Sequence, residues 1–211
     1  IPGTADEDDL YMIVKRTVNG STVRYIEYLS NYEFGTDIKD AYFVDCGLTY
    51  SGTAATSISG LTHLEGEKIV VLGDGATHPD RTVSSGGITL SRSVKKAHIG
   101  FNYKSTLQTM RIDAGGTEGT SQGKNKRINN ITLRLYKSVG VKVGSSEAEL
   151  DLIPFRSSAD DMSEALGMFT GDKEVEFRGG YDNDGFVFVR QDQPLPLTVL
   201  AIFPRLQTFD Q

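Results

Sequence analysis

The chain has 211 residues and a formal net charge of −6, long enough for one large or two small domains and acidic where a general nucleic-acid binder would be basic. Its single cysteine, Cys46, excludes an intrachain disulfide and suits a reducing compartment. No apolar run approaches the roughly 18 residues of a membrane-spanning helix, and 38% hydrophobic residues, with nine Tyr and ten Phe, exclude wholesale disorder.

The sequence opens on Ile1 without a signal-peptide pattern. The acidic run Asp6 to Asp9 leads straight into Leu10–Lys15, which reads as a strand, so this end looks like a cut through a longer protein. Leu10–Lys15 and Thr22–Leu29 flank Asn19-Gly20, the dipeptide favoured in type I′ hairpin turns. In the second strand Val23, Tyr25 and Glu27 share one face, and Arg24, Ile26 and Tyr28 the other. Aromatic and β-branched residues on both faces predict a hairpin contacted from two sides. Tyr32, Phe34 and Tyr42 continue the aromatic series, and Ala41–Val44 is a further strand candidate. Gly47 to Gly52 and the small polar stretch Thr53–Ser57 read as a boundary. Region 1–52 is then a hairpin region completing an upstream β domain, and 53–211 the main β region.

From Ile58 the spacing is regular. Ile69, Val70, Val71 and Leu72 are too short a run for a buried helix but suit a strand covered on both faces, ending at Asp74-Gly75, a second hairpin dipeptide. Arg81–Val83, Ile88–Arg92, Ala97–Tyr103 and Leu107–Ile112 follow as short strand candidates between Gly, Asp and Ser, the pattern of a small β-barrel or sandwich. Two packed subdomains, 53–112 and 128–211, are expected on either side of a Gly-rich arm, 113–127. Beyond the arm, Ile131, Leu133 and Leu135 alternate with Thr132, Arg134 and Tyr136, and Val139–Val143 follows. Ser158 caps a short helix candidate, Asp160–Leu166, stopped by Gly167. Lys173–Arg178, Gly185–Arg190 and Leu197–Phe203 close the chain as strands, with a turn at Asp182–Gly185 and Pro194 and Pro196 ahead of the last. The fold class is all-β: small barrel or sandwich modules with hairpins, long Gly-rich loops and at most one short helix.

No catalytic signature emerges. Gly123-Lys124 lacks the Gly at position 118 and the Ser or Thr at position 125 of a phosphate-binding loop. His63, His78 and His98 lie too far apart in sequence for a local zinc pair. Asp182-Asn183-Asp184-Gly185 resembles the opening of a calcium loop but has Gln191 where the closing Glu belongs, so it reads as a turn. Glu65, Glu67, Asp74, Asp80, Asp160 and Asp161 read as acidic turn residues, although two carboxylates at the right separation would serve a glycosidase. Lys124, Lys126 and Arg127 form a cationic cluster, either a solvated loop or a contact for DNA phosphates or an acidic neighbouring subunit. No catalytic, cofactor-binding or metal-binding residue is assigned.

Several phrases resemble tail proteins of short-tailed bacteriophages, of the tubular, nozzle or DNA-stabilisation type. They are Leu10-Tyr-Met-Ile-Val-Lys-Arg16 with Arg24-Tyr-Ile-Glu-Tyr28, Gly60-Leu-Thr-His-Leu-Glu-Gly66 with Asp74-Gly75 and His78-Pro79, and Gly119-Thr-Ser-Gln-Gly-Lys124 with Arg127-Ile128-Asn129. Thr132-Leu-Arg-Leu-Tyr136, Phe169-Thr-Gly-Asp172 and Gln191-Asp-Gln-Pro-Leu-Pro-Leu-Thr-Val-Leu200 complete the set. The resemblance implies a non-enzymatic virion component, made in the bacterial cytoplasm and placed in the tail. It implies a ring of copies, contacts with neighbouring tail and portal proteins, passive passage of DNA, and no membrane anchor. The interface residues expected are Tyr25, Tyr28, Tyr32 and Phe34, with Lys124, Lys126 and Arg127 in the Gly115–Arg127 arm. The rival readings are a carbohydrate-binding module, weakened by the absence of Trp, and a glycan or cell-wall hydrolase of a phage tail.

Overall fold

The computed structural model describes residues 8–113 and 120–209. Among them the chain is all-β: every sheet is antiparallel, no α-helix forms, and no sheet closes into a barrel. The chain divides into two compact units, Ile1–Tyr103 and Lys104–Gln211. The boundary expected at 52 instead falls inside a continuous strand.

The first unit opens with a hairpin, β1 (Tyr11–Val18) and β2 (Ser21–Tyr28), in unbroken register from Tyr11 opposite Tyr28 to Val18 opposite Ser21. Asn19 and Gly20 both take positive φ, 47° and 73°, as a type I′ turn requires. A four-stranded sheet follows: β3 (Asp45–Ser59), β4 (Lys68–Gly73), β5 (Ala76–Thr82) and β6 (Gly87–Phe101), in the spatial order β3-β6-β4-β5. β4 lies between two partners, and its apolar run Ile69 to Leu72 is buried on both faces. With Ile58, Leu61, Leu64, Val83, Ile88, Leu90, Val94 and Ile99, Ile69 and Val71 of that run make the core of this unit.

The polar run Gly47–Ser57, expected to be a boundary, is the body of β3. It shows little apolar alternation because β3 is an edge strand and its middle is exposed on both faces. Its strand state comes from hydrogen bonding to β6 rather than from burial. The two strands bulge past each other where glycines face: a Cβ on Gly100 would lie 2.6 Å from the Asp45 carbonyl oxygen and 2.8 Å from the Gly47 Cα. Cys46, next in the bulge, takes φ 50°. β6 also joins two expected strands, Ile88–Arg92 and Ala97–Tyr103, into one, whereas Ala41–Val44 is irregular.

The second unit holds two sheets. One is β10-β9-β12-β7, made of β7 (Ser105–Gln108), β9 (Lys142–Gly144), β10 (Leu150–Leu152) and β12 (Phe188–Gln191). The other is β11-β8-β13, made of β8 (Asn125–Ser138), β11 (Phe169–Glu176) and β13 (Thr198–Phe209). Ile131, Leu133 and Leu135 of β8 point into a core shared with Val141, Val143, Ile153, Phe177, Val187 and Val189. The helix expected over Asp160–Leu166 does not form. Asp160 accepts from the Ser157 amide at 2.6 Å and Asp161 from the Ser163 amide at 2.8 Å, so these side chains close turns that compete with helix. The apolar anchor, Met162, is exposed.

Candidate interaction surfaces

The two faces of the β1–β2 hairpin differ in chemistry. Its covered face carries charge. Arg16 donates to both oxygens of Glu27, at 2.7 and 2.6 Å, and to both oxygens of Asp45 in β3, at 2.8 and 2.7 Å. The planar guanidinium suits such paired recognition, and it also lies 6.0 Å from the Phe101 ring centre. Hydrogen bonding to Glu27 raises the Arg16 pKa further, and Arg16 in turn lowers that of Glu27. Tyr25 donates its hydroxyl to the His63 carbonyl at 2.7 Å and meets the His63 ring edge-on. The Asn19 amide donates to Glu67 at 2.7 Å. Burial, then hydrogen bonding to Glu27, pushes the neighbouring Cys46 thiol up to about 12.

The uncovered face is apolar. Ile13 and Ile26, opposite each other in register, are each 77% exposed. Tyr11 and Tyr28 form the next rung, with ring centres 5.9 Å apart, and both are exposed. On the other side of the Ile pair stands a cationic rung, Lys15 opposite Arg24. Among the described residues no carboxylate pairs with either cation. Among the described residues one face of the hairpin is covered and the other is bare.

The four aromatic residues expected at an interface separate accordingly. Tyr28 and Tyr32 are exposed. Tyr25 faces inward, and Phe34 is half-buried with its ring edge-on to Phe43 at 5.7 Å. Tyr11, Ile13 and Ile26 were missed. The alternation that assigned Tyr25 and Tyr28 to opposite faces, continued across the turn into β1, points to all three.

The cationic cluster also divides. Lys126, expected as a phosphate or subunit contact, is only 2% exposed. Its backbone bridges to Asp182, its side chain donates to the Ile112 carbonyl at 3.1 Å, and its stem lies against Gly185. It is a structural lysine, in phase with the inward-facing Ile128. Arg127, the next residue, faces out and lies 5.8 Å from the Tyr181 ring centre. Lys124 is half-buried. A cavity of about 540 Å³ beside this segment is lined by Met110, Arg111, Gln122, Gly123, Lys126, Asn183 and Phe186. Of the expected Gly115–Arg127 arm, residues 115–119 lie outside the described residues. From Thr120 to Gln122 the arm is tied down by the Asp113 carboxylate, which accepts from Thr120, Ser121 and Gln122 at 2.8–3.2 Å.

The carboxylates considered for glycan chemistry are all engaged locally. Glu65 accepts from the Ser85 and Gly86 amides, Glu67 from Asn19, and Asp74 from Lys95 and Lys96. Asp80 pairs with Lys68 at 2.8 Å. His98 sits between the Thr49 hydroxyl at 2.8 Å and the Lys39 carbonyl at 2.9 Å, and burial lowers its pKa. His78 accepts from the Arg92 side chain at 3.1 Å, and its buried Nδ1 has no partner among the described residues. Among the described residues no three His, Cys, Asp or Glu side chains group to hold a metal ion. No protein-family model matches the sequence, and no curated protein matches it.

Proposed function

We propose that this chain is a structural component of a phage tail, of the nozzle, hub or DNA-stabilisation type, working through contacts between subunits. The observation that carries the reading is the bare hairpin face. A two-stranded ribbon held down by an arginine and two carboxylates, with isoleucine and tyrosine turned outward, suits a surface that a neighbour covers. The fold class and the tail-like phrases along the sequence support the same reading. The net charge of −6 suits a wall that DNA passes without being held. In this reading the chain does no chemistry, its partners are copies of itself in a ring and adjoining tail and portal proteins, and its place is the virion tail.

The test is location. Antibody raised against the chain is expected to label the tail of particles from the producing strain, and purified particles are expected to contain the chain at a fixed copy number. Recovery only from the soluble host fraction, with none in particles, overturns the reading.

A further inference from the structure

The outward hairpin face is a ladder of unlike rungs. Going towards the turn they are aromatic (Tyr11, Tyr28), aliphatic (Ile13, Ile26) and cationic (Lys15, Arg24). This order matters when two such faces meet. A two-fold axis lying in the interface along the Ile13–Ile26 rung reverses strand direction and stacks β1 on β1 and β2 on β2. Ile13 then faces the partner's Ile13, and Ile26 the partner's Ile26. Lys15 falls on the partner's Tyr11, and Arg24 on the partner's Tyr28, an arrangement in which each cation meets an aromatic face. The other in-plane axis, running along the strands, sets Lys15 against the partner's Arg24 and repels. Charge thus selects one of the two ways in which the face can cover itself.

We propose that the β1–β2 face binds a second copy of this chain through that antiparallel contact. The inference rests on the reading of the hairpin as a subunit contact, and it names the occupant. Six side chains are far fewer than the roughly 20–30 residues per side of a standard interface. The contact is therefore weak between free chains and, being two-fold, joins copies in two facing rings rather than neighbours round one ring.

Sedimentation velocity of the 211-residue chain from micromolar to millimolar concentration is expected to show a reversible monomer–dimer equilibrium. The double variant K15E/R24E is expected to weaken it at least tenfold, with circular dichroism unchanged because neither side chain has an ion-pair partner among the described residues. The geometry has its own signature: Ile13→Cys alone is expected to cross-link to itself through a short bis-maleimide, because residues on the axis pair with their own copies. If Ile13→Cys cross-links only when mixed with Ile26→Cys, the proposed axis is wrong. A monomer at every concentration overturns the proposal. If such a monomer is nevertheless built into tails, the tail reading stands and the face belongs to a different tail protein.

Discussion

The β1–β2 hairpin and the β11-β8-β13 sheet each have one covered face and one open face, and they distribute their residues in opposite ways. The sheet turns Ile131, Leu133 and Leu135 into a core and sends charge outward. On its open face Arg134 holds Asp172 through two bonds of 2.8 Å and lies 5.1 Å from the Phe203 ring centre, so that exposed ring has a cation from its own chain. The hairpin puts Arg16, Glu27 and Tyr25 underneath and Ile13, Ile26, Tyr11 and Tyr28 outside. Charge caps the Phe203 ring on the sheet's open face, whereas Ile13 and Ile26 of the hairpin stand 77% exposed. Bare isoleucine adds little to the fold of the monomer, so the difference separates residues that fold this chain from residues available for joining it to another.

The largest expected effect is in the sheet. Leu133 is fully buried, and Leu133→Ala is expected to cost about 2–5 kcal/mol, read as a fall in the urea midpoint of the second unit. The hairpin's counterpart is electrostatic. Arg16→Ala removes both halves of a clamp and leaves Glu27 and Asp45 facing each other without it. About 2–3 kcal/mol of first-unit stability is expected to go, between the values for exposed and buried pairs. If Arg16→Ala costs nothing measurable, the covered face is not what holds the hairpin.

Titration sharpens the same contrast, because the hairpin anchor and the four-stranded sheet respond in different pH windows. Arg16 lowers the pKa of Glu27 below its ordinary 4.5. Its contribution is therefore complete above that value and is lost as pH falls through the folded pKa. Burial lowers that of His98 below its ordinary 6.5, so the unfolded chain takes up a proton first and stability declines as pH falls below about 6.5. Urea midpoints measured from neutral to acid pH are expected to fall in two stages. Glu27→Gln is expected to flatten only the lower one. Cys46 adds a kinetic check: with its thiol pushed up to about 12, labelling by a disulfide reagent near neutral pH is expected to be slow in the folded chain and rapid in urea.

The sequence announces its turns and central strands plainly. Asn19-Gly20 and Asp74-Gly75 take positive φ at all four residues, because so few residue types tolerate that conformation. Ile69 to Leu72 is buried as its apolar run demands. The edge strand β3 is hidden, since nothing in Gly47–Ser57 alternates and only its partner β6 makes it a strand. The helix at Asp160–Leu166 is misleading, because its aspartates can bond their own backbone as readily as cap a helix. Among the surface residues, Tyr25 and Tyr28 fall on opposite faces as the alternation implies. Lys126 shows the opposite difficulty: three neighbouring cations look like one patch until the pleat of β8 separates Lys126 from Arg127. Which cations stay unpaired depends on side chains far away in sequence, such as Asp45 reaching Arg16.

The smallest expected effect on stability carries the most weight for the comparison. Ile13→Ser and Ile26→Ser change side chains that are 77% exposed and have few neighbours to lose. Each is expected to shift stability by no more than about 0.5 kcal/mol, although serine is the poorer strand former. An equivalent change on the covered face, Val18→Ser, places a hydroxyl where the side chain is 6% exposed and is expected to cost clearly more. Set beside the sedimentation behaviour of the same variants, this separates two roles. If the outer isoleucines stabilise the monomer as strongly as Val18 does, the bare face belongs to folding. If they leave the urea midpoint unmoved while association disappears, the apolar half of the hairpin is there for another molecule.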